Sequence, residues 1–189
     1  MNTRERLVEC AFGELERSGI EGFSLRSVGN DAGLSAMAVY RHFKNKNELL
    51  RVVGEVAFEE WRRRVEAIKE TTLEKWFHKV VRAYVEFALD QPARFDVCFV
   101  LKTEVERIYP DDFRAGKSPV ISLTMQRIEQ AQRNGELNPG DSLEIALFAW
   151  AQLHGLVMLH RSGRFALSRA AFLSLCKRCG SRILQALKH

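Results

Sequence analysis

Apolar residues recur along most of the chain at intervals of three and four positions, the spacing that places them on one face of an α-helix. This periodicity is clear over residues 4–17 and over a longer stretch, residues 46–69. The same pattern predicts further helical segments at 71–90, 95–101, 119–133, 141–161 and 168–187. No alternating strand pattern and no internal repeat is visible, so we expect an all-α protein of about nine helices.

Between the first helix and the long one, the pattern predicts two short helices joined by a tight turn. Ser24 precedes residues 25–32 and Ser35 precedes residues 36–43, and each serine hydroxyl can accept a hydrogen bond from the free N–H groups of a first helical turn. Gly33 lies where the end of a helix needs a residue that tolerates a positive φ. This arrangement is typical of a helix-turn-helix, whose second helix enters the major groove of DNA.

Positive charge accompanies the second short helix. Residues 36–46 include Arg41, Lys44 and Lys46 and no acidic residue. Such a local patch favours DNA binding, because phosphate neutralisation supplies much of the affinity. The formal net charge of +5 adds nothing to this argument, since its excess lies in residues 161–189, which hold seven basic and no acidic residues. A solvated helix face, or acidic partners within a dimer, explains that C-terminal charge better than DNA does.

Residues 4–50 resemble the DNA-binding domain of the tetracycline-repressor (TetR) family. The resemblance rests on an ordered series of short pieces: Ala11-Phe12, Gly19, Phe23-Ser24-Leu25-Arg26, Ala32-Gly33-Leu34-Ser35 and Val39 to Leu50. It implies an N-terminal three-helix DNA-binding domain over residues 1–47, with its motif at 24–43. A C-terminal helical bundle for ligand binding and dimerisation is then expected over residues 48–189.

Two places depart from the family pattern. Gly29 stands where the family usually has alanine, and Met37 and Ala38 stand where small or hydroxyl-bearing residues are common. Because glycine costs roughly 1 kcal/mol of helix propensity relative to alanine, we expect the first motif helix to be looser than usual. The residues at 37 and 38 face DNA in the family, so the operator does not follow from that of relatives.

The same resemblance assigns roles to side chains of the motif. Phosphate contacts are expected from Tyr40, His42 and Lys46, with Ser24 supporting them. Contacts to base edges or the nearby backbone are expected from Arg26, Ser35, Ala36, Met37, Ala38 and Arg41. For Tyr40, packing between the motif helices is the alternative.

A second resemblance concerns residues 148–156, where Trp150, His154 and Gly155 form a pattern similar to a Trp-His-Gly signature in the regulatory domains of one TetR subgroup. It implies that the last two helices form a four-helix bundle in a dimer. The candidate interface residues are Gly155, Leu173, Ile183, Leu184 and Leu187. The candidate ligand-pocket residues, each with ordinary core packing as the alternative, are Tyr84, Phe95, Phe99, Met125, Trp150, His154 and Met158. Residues 102–116 are the least regular stretch and are predicted to be a mobile loop or gate.

Composition and cysteine placement limit the cellular compartment and the kinds of site that the sequence predicts. A hydrophobic content of 46% with 28% charge is ordinary, the apolar runs are shorter than the roughly 18 residues of a membrane span, and no signal-peptide core follows Met1. We therefore expect a cytoplasmic bacterial protein with no membrane partner.

Cys176 and Cys179 form a CxxC without a second ligand pair, which favours helix packing over metal or redox work. His154 and Met158 likewise have no spaced carboxylate or histidine to complete a site, so no metal and no cofactor are predicted.

These patterns favour a transcriptional regulator over an enzyme, because no Gly-rich phosphate loop, nucleophile elbow or HExxH motif is present. The leading hypothesis is a homodimeric, ligand-responsive repressor on a palindromic double-stranded DNA operator, released by a small hydrophobic effector. An activator of the same fold stays open, as does a protein that binds DNA without sequence preference or serves as an interaction module.

Overall fold

The computed structural model describes residues 1–188, and within them the chain forms ten α-helices and no β-strand. The helices are α1 (Thr3–Gly22), α2 (Leu25–Asp31), α3 (Ala36–Tyr40), α4 (Lys46–Glu66), α5 (Leu73–Asp90), α6 (Pro92–Phe99), α7 (Asp111–Arg114), α8 (Pro119–Arg133), α9 (Ser142–Arg161) and α10 (Arg169–Ala186). The prediction of an all-helical protein is confirmed. The helix count exceeds the expected number because α7 forms in the stretch predicted to be irregular, with acidic residues in its first turn where they favour a helix.

Contacts between helices divide the chain into two compact units. The first unit comprises Met1–Trp61 and Asp90–Glu106, and the second comprises Arg62–Leu89 and the chain from Arg107 onward. Helix α6 therefore belongs to the same unit as the helix-turn-helix. The predicted boundary at residue 47, between a DNA-binding and a regulatory domain, divides the chain differently, and it stays a prediction.

Apolar side chains from the first four helices and from the segment between α3 and α4 form the core of the first unit. Leu7, Val28, Val39, Phe43 and Leu49 are all fully buried. Full burial of a side chain of this size contributes about 1.5–3 kcal/mol relative to leaving it exposed. This core fixes the short motif helices, which are too short to be stable alone.

One buried carboxylate ties α1 to α2. Glu14 is only 3% exposed, and its Oε2 accepts hydrogen bonds from Ser27 Oγ at 2.8 Å and from Arg17 Nη2 at 3.1 Å. These donors offset the desolvation of the buried charge. Helix α1 is also broken at Gly19, whose φ of 64° is the left-handed conformation that glycine tolerates.

The motif helices are shorter than predicted. Helix α2 ends at Asp31 instead of residue 32, and α3 ends at Tyr40 instead of Phe43. The chain leaves the helix after Tyr40 and places the Phe43 ring in the core, where it is fully buried. Asn45 then caps α4 through its side-chain oxygen, which accepts from the Glu48 amide at 2.9 Å.

Residues 103–106, named the strap here, lie across α4 within the first unit. Thr103 is 2% exposed, and a Cβ added at Gly54 would lie 2.5 Å from Val105 Cγ2 and 2.9 Å from Thr103 Oγ1. The Glu106 carboxylate accepts a hydrogen bond from the Thr103 amide. This part of the predicted loop or gate therefore contacts α4, and its mobility stays a prediction.

Helices α5, α8, α9 and α10 supply most of the second unit. Helix α9 packs against both α8 and α10. Fully buried side chains from three of these helices define its core: Trp76, Phe87, Leu143, Val157 and Phe172. The bundle predicted for the C-terminal part is thus present as a packed unit.

Helix α9 is apolar over a longer stretch than the sequence analysis indicated. Among residues 1–188 it is the one helix long and apolar enough to cross a bilayer, with a mean hydropathy of 1.4 over 18 residues. A single helix of this kind is weak support for a membrane span, because the core helix of a packed bundle has the same composition. The packing of α9 between α8 and α10 fits the core-helix interpretation.

Candidate nucleic-acid interface

The turn between α2 and α3 is built by the residues that the sequence indicated. Ser24 Oγ accepts from the Ser27 amide at 3.4 Å, and Ser35 Oγ accepts from the Ala38 amide at 3.3 Å. Gly33 has a φ of 64°, so the chain reverses there without a steric penalty. Both serines are therefore helix caps, and any contact they make with DNA comes in addition to that role.

Gly29 brings α2 and α3 close together. It is buried, and a Cβ at this position would lie 2.7 Å from Val39 Cγ2 and 3.3 Å from the Leu34 carbonyl oxygen. The Leu34 amide donates to the Gly29 carbonyl at 2.8 Å. The expectation of a looser first motif helix is thus replaced by a close helix approach that requires the missing side chain.

The outward face of α3 carries an apolar and an aromatic side chain. Met37 is 78% exposed and Tyr40 is 56% exposed. Ala36, Arg41 and His42 are exposed as well. The alternative of Tyr40 packing between the motif helices is not supported, since more than half of its surface faces solvent. Other predicted DNA contacts have these placements: Arg26 and Ser35 are exposed, while Ser24 and Ala38 are half-buried.

Lys46 differs from its predicted role as a free phosphate contact. Its Nζ donates to the Ile20 carbonyl oxygen at 2.6 Å and lies 5.6 Å from the centroid of the Phe23 ring. The ammonium therefore joins the start of α4 to the end of α1. A phosphate contact from Lys46 would use its remaining N–H donors, so Arg41 and Lys44 are the more available cations.

An acidic residue near the motif is ion-paired within the unit. Asp31, at the end of α2, accepts from Arg17, and hydrogen bonds to Asp31 and then to Glu14 raise the pKa of the Arg17 guanidinium. Asp31 and Glu14 share this one guanidinium, so Asp31 has an ion-pair partner outside residues 41–46. A positive, outward-facing motif of this kind can neutralise DNA phosphates.

The predicted pocket residues do not all belong to one unit. Phe95 and Phe99 lie in the first unit, where Phe99 makes edge-to-face contacts with Phe58 and Trp61 at ring distances of 6.2 and 6.0 Å. Their contacts within that unit favour core packing, which was the stated alternative. The other five candidates, Tyr84, Met125, Trp150, His154 and Met158, lie in the second unit.

Three of those candidates form a hydrogen-bonded chain. Trp150 Nε1 donates to Tyr84 Oη at 3.0 Å, and Tyr84 Oη lies 2.8 Å from His154 Nδ1. Because the tryptophan N–H occupies an acceptor position of the phenol, the phenolic proton is available to His154 Nδ1. The tyrosine is 2% exposed, so the chain links α5 to α9 inside the unit.

A separate cavity of about 410 Å³ lies in the second unit, and sequence reasoning did not find it. Its lining residues are Thr72, Leu73, Glu74, Lys75, His78, Glu136, Leu137, Leu184 and Lys188. Leu184 was predicted to lie at a dimer interface, but it is 6% exposed and packs inside its own chain. Leu173, Ile183 and Leu187 are half-buried, so they keep partial exposure on α10 or just after it.

The exposed face of α9 contains the predicted interface residue Gly155 and others that the sequence analysis missed. Phe148 is 49% exposed and Leu159 is 45% exposed. Ala151 is exposed on the same face, and among the described residues no atom lies within 4 Å of a Cβ added at Gly155. These four residues are named the α9 stripe here. Their helical spacing was a usable signal, but α9 is apolar on both faces, so the pattern did not distinguish its outer side.

The cysteines have the environment of packed thiols. All four are free, and burial, followed by the charge of Cys179, raises the pKa of Cys176 to about 11. The thiolate is the reactive form, so this thiol is unreactive at neutral pH. Among residues 1–188, no group of three His, Cys, Asp or Glu side chains is placed to hold a metal ion.

The fold and the exposed motif define a helix-turn-helix DNA-binding protein with an additional helical unit. Residues 7–53 match the family described as bacterial regulatory proteins, tetR family, and residues 77–176 match the tetracyclin repressor-like C-terminal domain. The chain belongs to the TetR family, and this places it among regulatory proteins and not among enzymes. The Trp-His-Gly subgroup stays a prediction.

Individual relatives agree with this assignment. The chain is 28% identical over 142 residues to an HTH-type transcriptional regulator of Mycobacterium tuberculosis (strain ATCC 25618 / H37Rv), an alignment that covers 73% of this chain and 61% of that protein. The chain thus spans less than two thirds of the length of the curated relatives it matches.

Solved structures with the same fold cover nearly the whole chain. A protein of unknown function from Rhodococcus sp. RHA1 superposes with a TM-score of 0.82 at 26% identity, covering 100% of this chain and 97% of that one. A TetR family transcription regulator from Marinobacter aquaeolei VT8 superposes with a TM-score of 0.73 at 16% identity, covering 96% and 94%. At that identity the second likeness shows the fold alone.

Proposed function

We propose that the protein is a sequence-specific DNA-binding transcriptional regulator that acts in the cytoplasm as a homodimer and represses transcription from a palindromic operator. The observation that carries this proposal is the outward face of the motif, where Met37 and Tyr40 are exposed beside Arg41. Family membership supports the same function. This face does not contribute to the core of the unit, and its apolar and aromatic side chains suit contact with base edges and phosphates.

The α9 stripe supports the homodimer. Phe148, Ala151, Gly155 and Leu159 present apolar surface on one helix face, which also carries the exposed Gln152. Gly155 leaves room there for a second helix to approach. A second copy of the chain is the natural occupant, because two-fold symmetry lets the same stripe cover itself. Dimerisation also matches the operator, since two recognition helices about 34 Å apart contact successive major grooves of a palindrome.

The Tyr84, Trp150 and His154 chain supports a small, largely hydrophobic effector. These polar groups lie among apolar helices, and Met125 and Met158 in the same unit are half-buried. Ligand pockets in helical bundles combine such apolar walls with a few polar groups. An effector that binds more tightly to a DNA-free conformation shifts the population away from the operator.

Fluorescence anisotropy of the purified protein tests the DNA-binding proposal. The probes are the duplex from upstream of its own gene and a scrambled duplex of equal length, both at fixed physiological salt because phosphate contacts make affinity salt-dependent. We expect a preference of at least about 10³-fold for the native duplex. Equal affinity for both duplexes, repeated with duplexes tiled across the neighbouring genes, would contradict sequence-specific binding.

Transcription from the bound promoter separates repression from activation. With the operator placed before a reporter, the repressor hypothesis predicts lower output when the protein is present and recovery when its effector is added. Higher output would support the alternative, an activator with the same DNA grip.

A further inference from the structure

Helix α3 presents carbon, and almost no hydrogen-bonding groups, to the DNA. Of its five residues, Val39 is buried, and Ala36, Met37 and Ala38 carry no side-chain donor and no acceptor other than the weak thioether sulfur of the methionine. Tyr40 contributes the single polar side-chain group of the helix. Contacts made by α3 are therefore mostly apolar, whatever the flanking residues add.

Met37 is the side chain on this helix with the greatest reach. It is 78% exposed, the largest exposed fraction among the large apolar side chains of the first unit apart from Met1. An unbranched methionine side chain has three rotatable bonds, and it can adapt to the surface it meets. An exposed flexible apolar group gains free energy when it meets another apolar group and loses water.

The major groove offers one such group. Each base pair presents hydrogen-bond donors or acceptors there, and only thymine adds an apolar 5-methyl group. We propose that Met37 contacts a thymine 5-methyl group in each half of the operator and makes that position a specificity determinant. This inference rests on the proposed function and names which chemical feature of the DNA the protein selects.

The size of the effect follows from the loss of one methyl group. Burial of a methylene-sized group is worth about 0.8 kcal/mol, which corresponds to roughly a fourfold change in affinity. A two-fold symmetric operator contains the position twice. Removal of both methyl groups should therefore weaken binding by about fifteenfold.

The experiment starts from a randomised duplex library, because the residues of the motif do not define the operator sequence. The purified full chain selects its preferred site from this library at fixed salt. Each thymine of the enriched site is then replaced by deoxyuridine, which removes the methyl group and keeps the hydrogen-bonding pattern. We expect about a fourfold loss of affinity at one thymine in each half-site and little change elsewhere.

Variants assign the effect to Met37. In Met37→Ala the deoxyuridine penalty at that thymine should disappear, whereas Met37→Leu, which keeps an apolar side chain, should retain most of it. Arg41→Ala is the matched control, because loss of a charge should weaken binding to the thymine and deoxyuridine duplexes by the same factor. The exposed position of Met37 makes all of its variants compatible with folding, which thermal unfolding checks.

The outcomes separate this inference from the proposed function. An enriched site whose affinity is unchanged by every deoxyuridine would overturn the role of Met37 and leave sequence-specific binding intact. A penalty that persists in Met37→Ala would assign methyl recognition to another residue and equally overturn the inference. If the library yields no enriched site, sequence-specific binding itself is refuted.

Discussion

At the scale of single residues, the motif depends on a glycine that local propensity treats as a defect. Gly29 is buried on α2, and a side chain there would meet Val39 at 2.7 Å. Valine is stiff at χ1, so its methyl group cannot move aside freely. The close approach of α2 and α3 thus outweighs the helix propensity that alanine would add.

Gly29→Ala should therefore destabilise the protein, by about 1 kcal/mol once a gain of roughly 1 kcal/mol in helix propensity is set against an overpacking cost of about 1–3 kcal/mol. Gly13→Ala is the matched control, because a Cβ on Gly13 would meet only the far end of the Arg17 side chain at 3.4 Å. That variant should be stabilised. Urea unfolding of both variants measures the difference, and a stabilised Gly29→Ala would show that the two helices are not held at this distance.

Residue-scale features also mark the limit of what sequence patterns predict. The two serine caps and Gly33 were correctly predicted, because a cap and a turn depend on neighbours only three or four positions away. The contact of Lys46 with the Ile20 carbonyl was not, since it joins residues 26 positions apart. No local signal distinguishes a lysine that braces two helices from one that faces solvent.

At the scale of elements, the strap gives a packing reason for an isolated glycine in a long helix. Gly54 is in the middle of α4, and the strap crosses the helix at the place that a side chain on residue 54 would fill. Thr103 and Val105 occupy that space. The sequence showed the glycine, but the strap lies about fifty residues further along the chain, so the periodicity of α4 could not indicate the contact.

Gly54→Ala should displace the strap, because the added Cβ would lie 2.5 Å from Val105 Cγ2 and 2.9 Å from Thr103 Oγ1. We expect a net loss of about 1 kcal/mol in unfolding free energy, because an overpacking cost of about 1–3 kcal/mol exceeds a gain of roughly 1 kcal/mol in helix propensity. Hydrogen exchange should report faster exchange of the Thr103 amide, which donates to Glu106 in the intact strap. Unchanged protection of that amide would mean that the strap accommodates the methyl group.

The double variant Gly54→Ala with Val105→Ala provides the control for this prediction. Removing the two methyl groups of Val105 vacates the nearest obstacle, so part of the lost stability should return. A double variant that is less stable than either single variant would contradict the steric explanation.

The helices of the second unit show a different limit of sequence-based prediction. Helix α9 is correctly predicted over nearly its full length, because its cap at Asp141 and its end near Ser162 are local signals. Apart from Gly155, its solvent-facing side was missed, since Phe148 and Leu159 are as apolar as the residues it buries. Leu184 was assigned outward for the same reason. Only tertiary packing decides which face of an apolar helix is covered.

At the scale of the whole molecule, the proposed dimer rests on the α9 stripe. Phe148→Glu places a charge in the middle of this apolar face, and burying an unpaired carboxylate is costly. We expect the mass measured by light scattering to fall from twice the chain mass of 21.7 kDa to the chain mass itself. Operator affinity should fall with it by about 10²-fold or more, because each half-site is then bound separately.

Ile108→Glu is the control for the dimer prediction. Ile108 is 66% exposed, belongs to the same unit and lies outside α9, so the same change of charge should leave the dimer intact. A Phe148→Glu protein that remains dimeric would place the interface elsewhere. The predicted half-exposed residues Leu173, Ile183 and Leu187 would then be the next positions to change.

The α9 stripe also couples the stability of the folded protein to its concentration in the cell. A dimer that hides Phe148 and Leu159 from water is favoured by mass action, so the thermal midpoint of the protein should rise with its concentration. A cell that makes few copies would then hold a less stable protein as well as a less occupied operator. The amount of protein synthesised would set both quantities together, and a modest rise in expression would strengthen DNA binding by the proposed dimer more than in proportion.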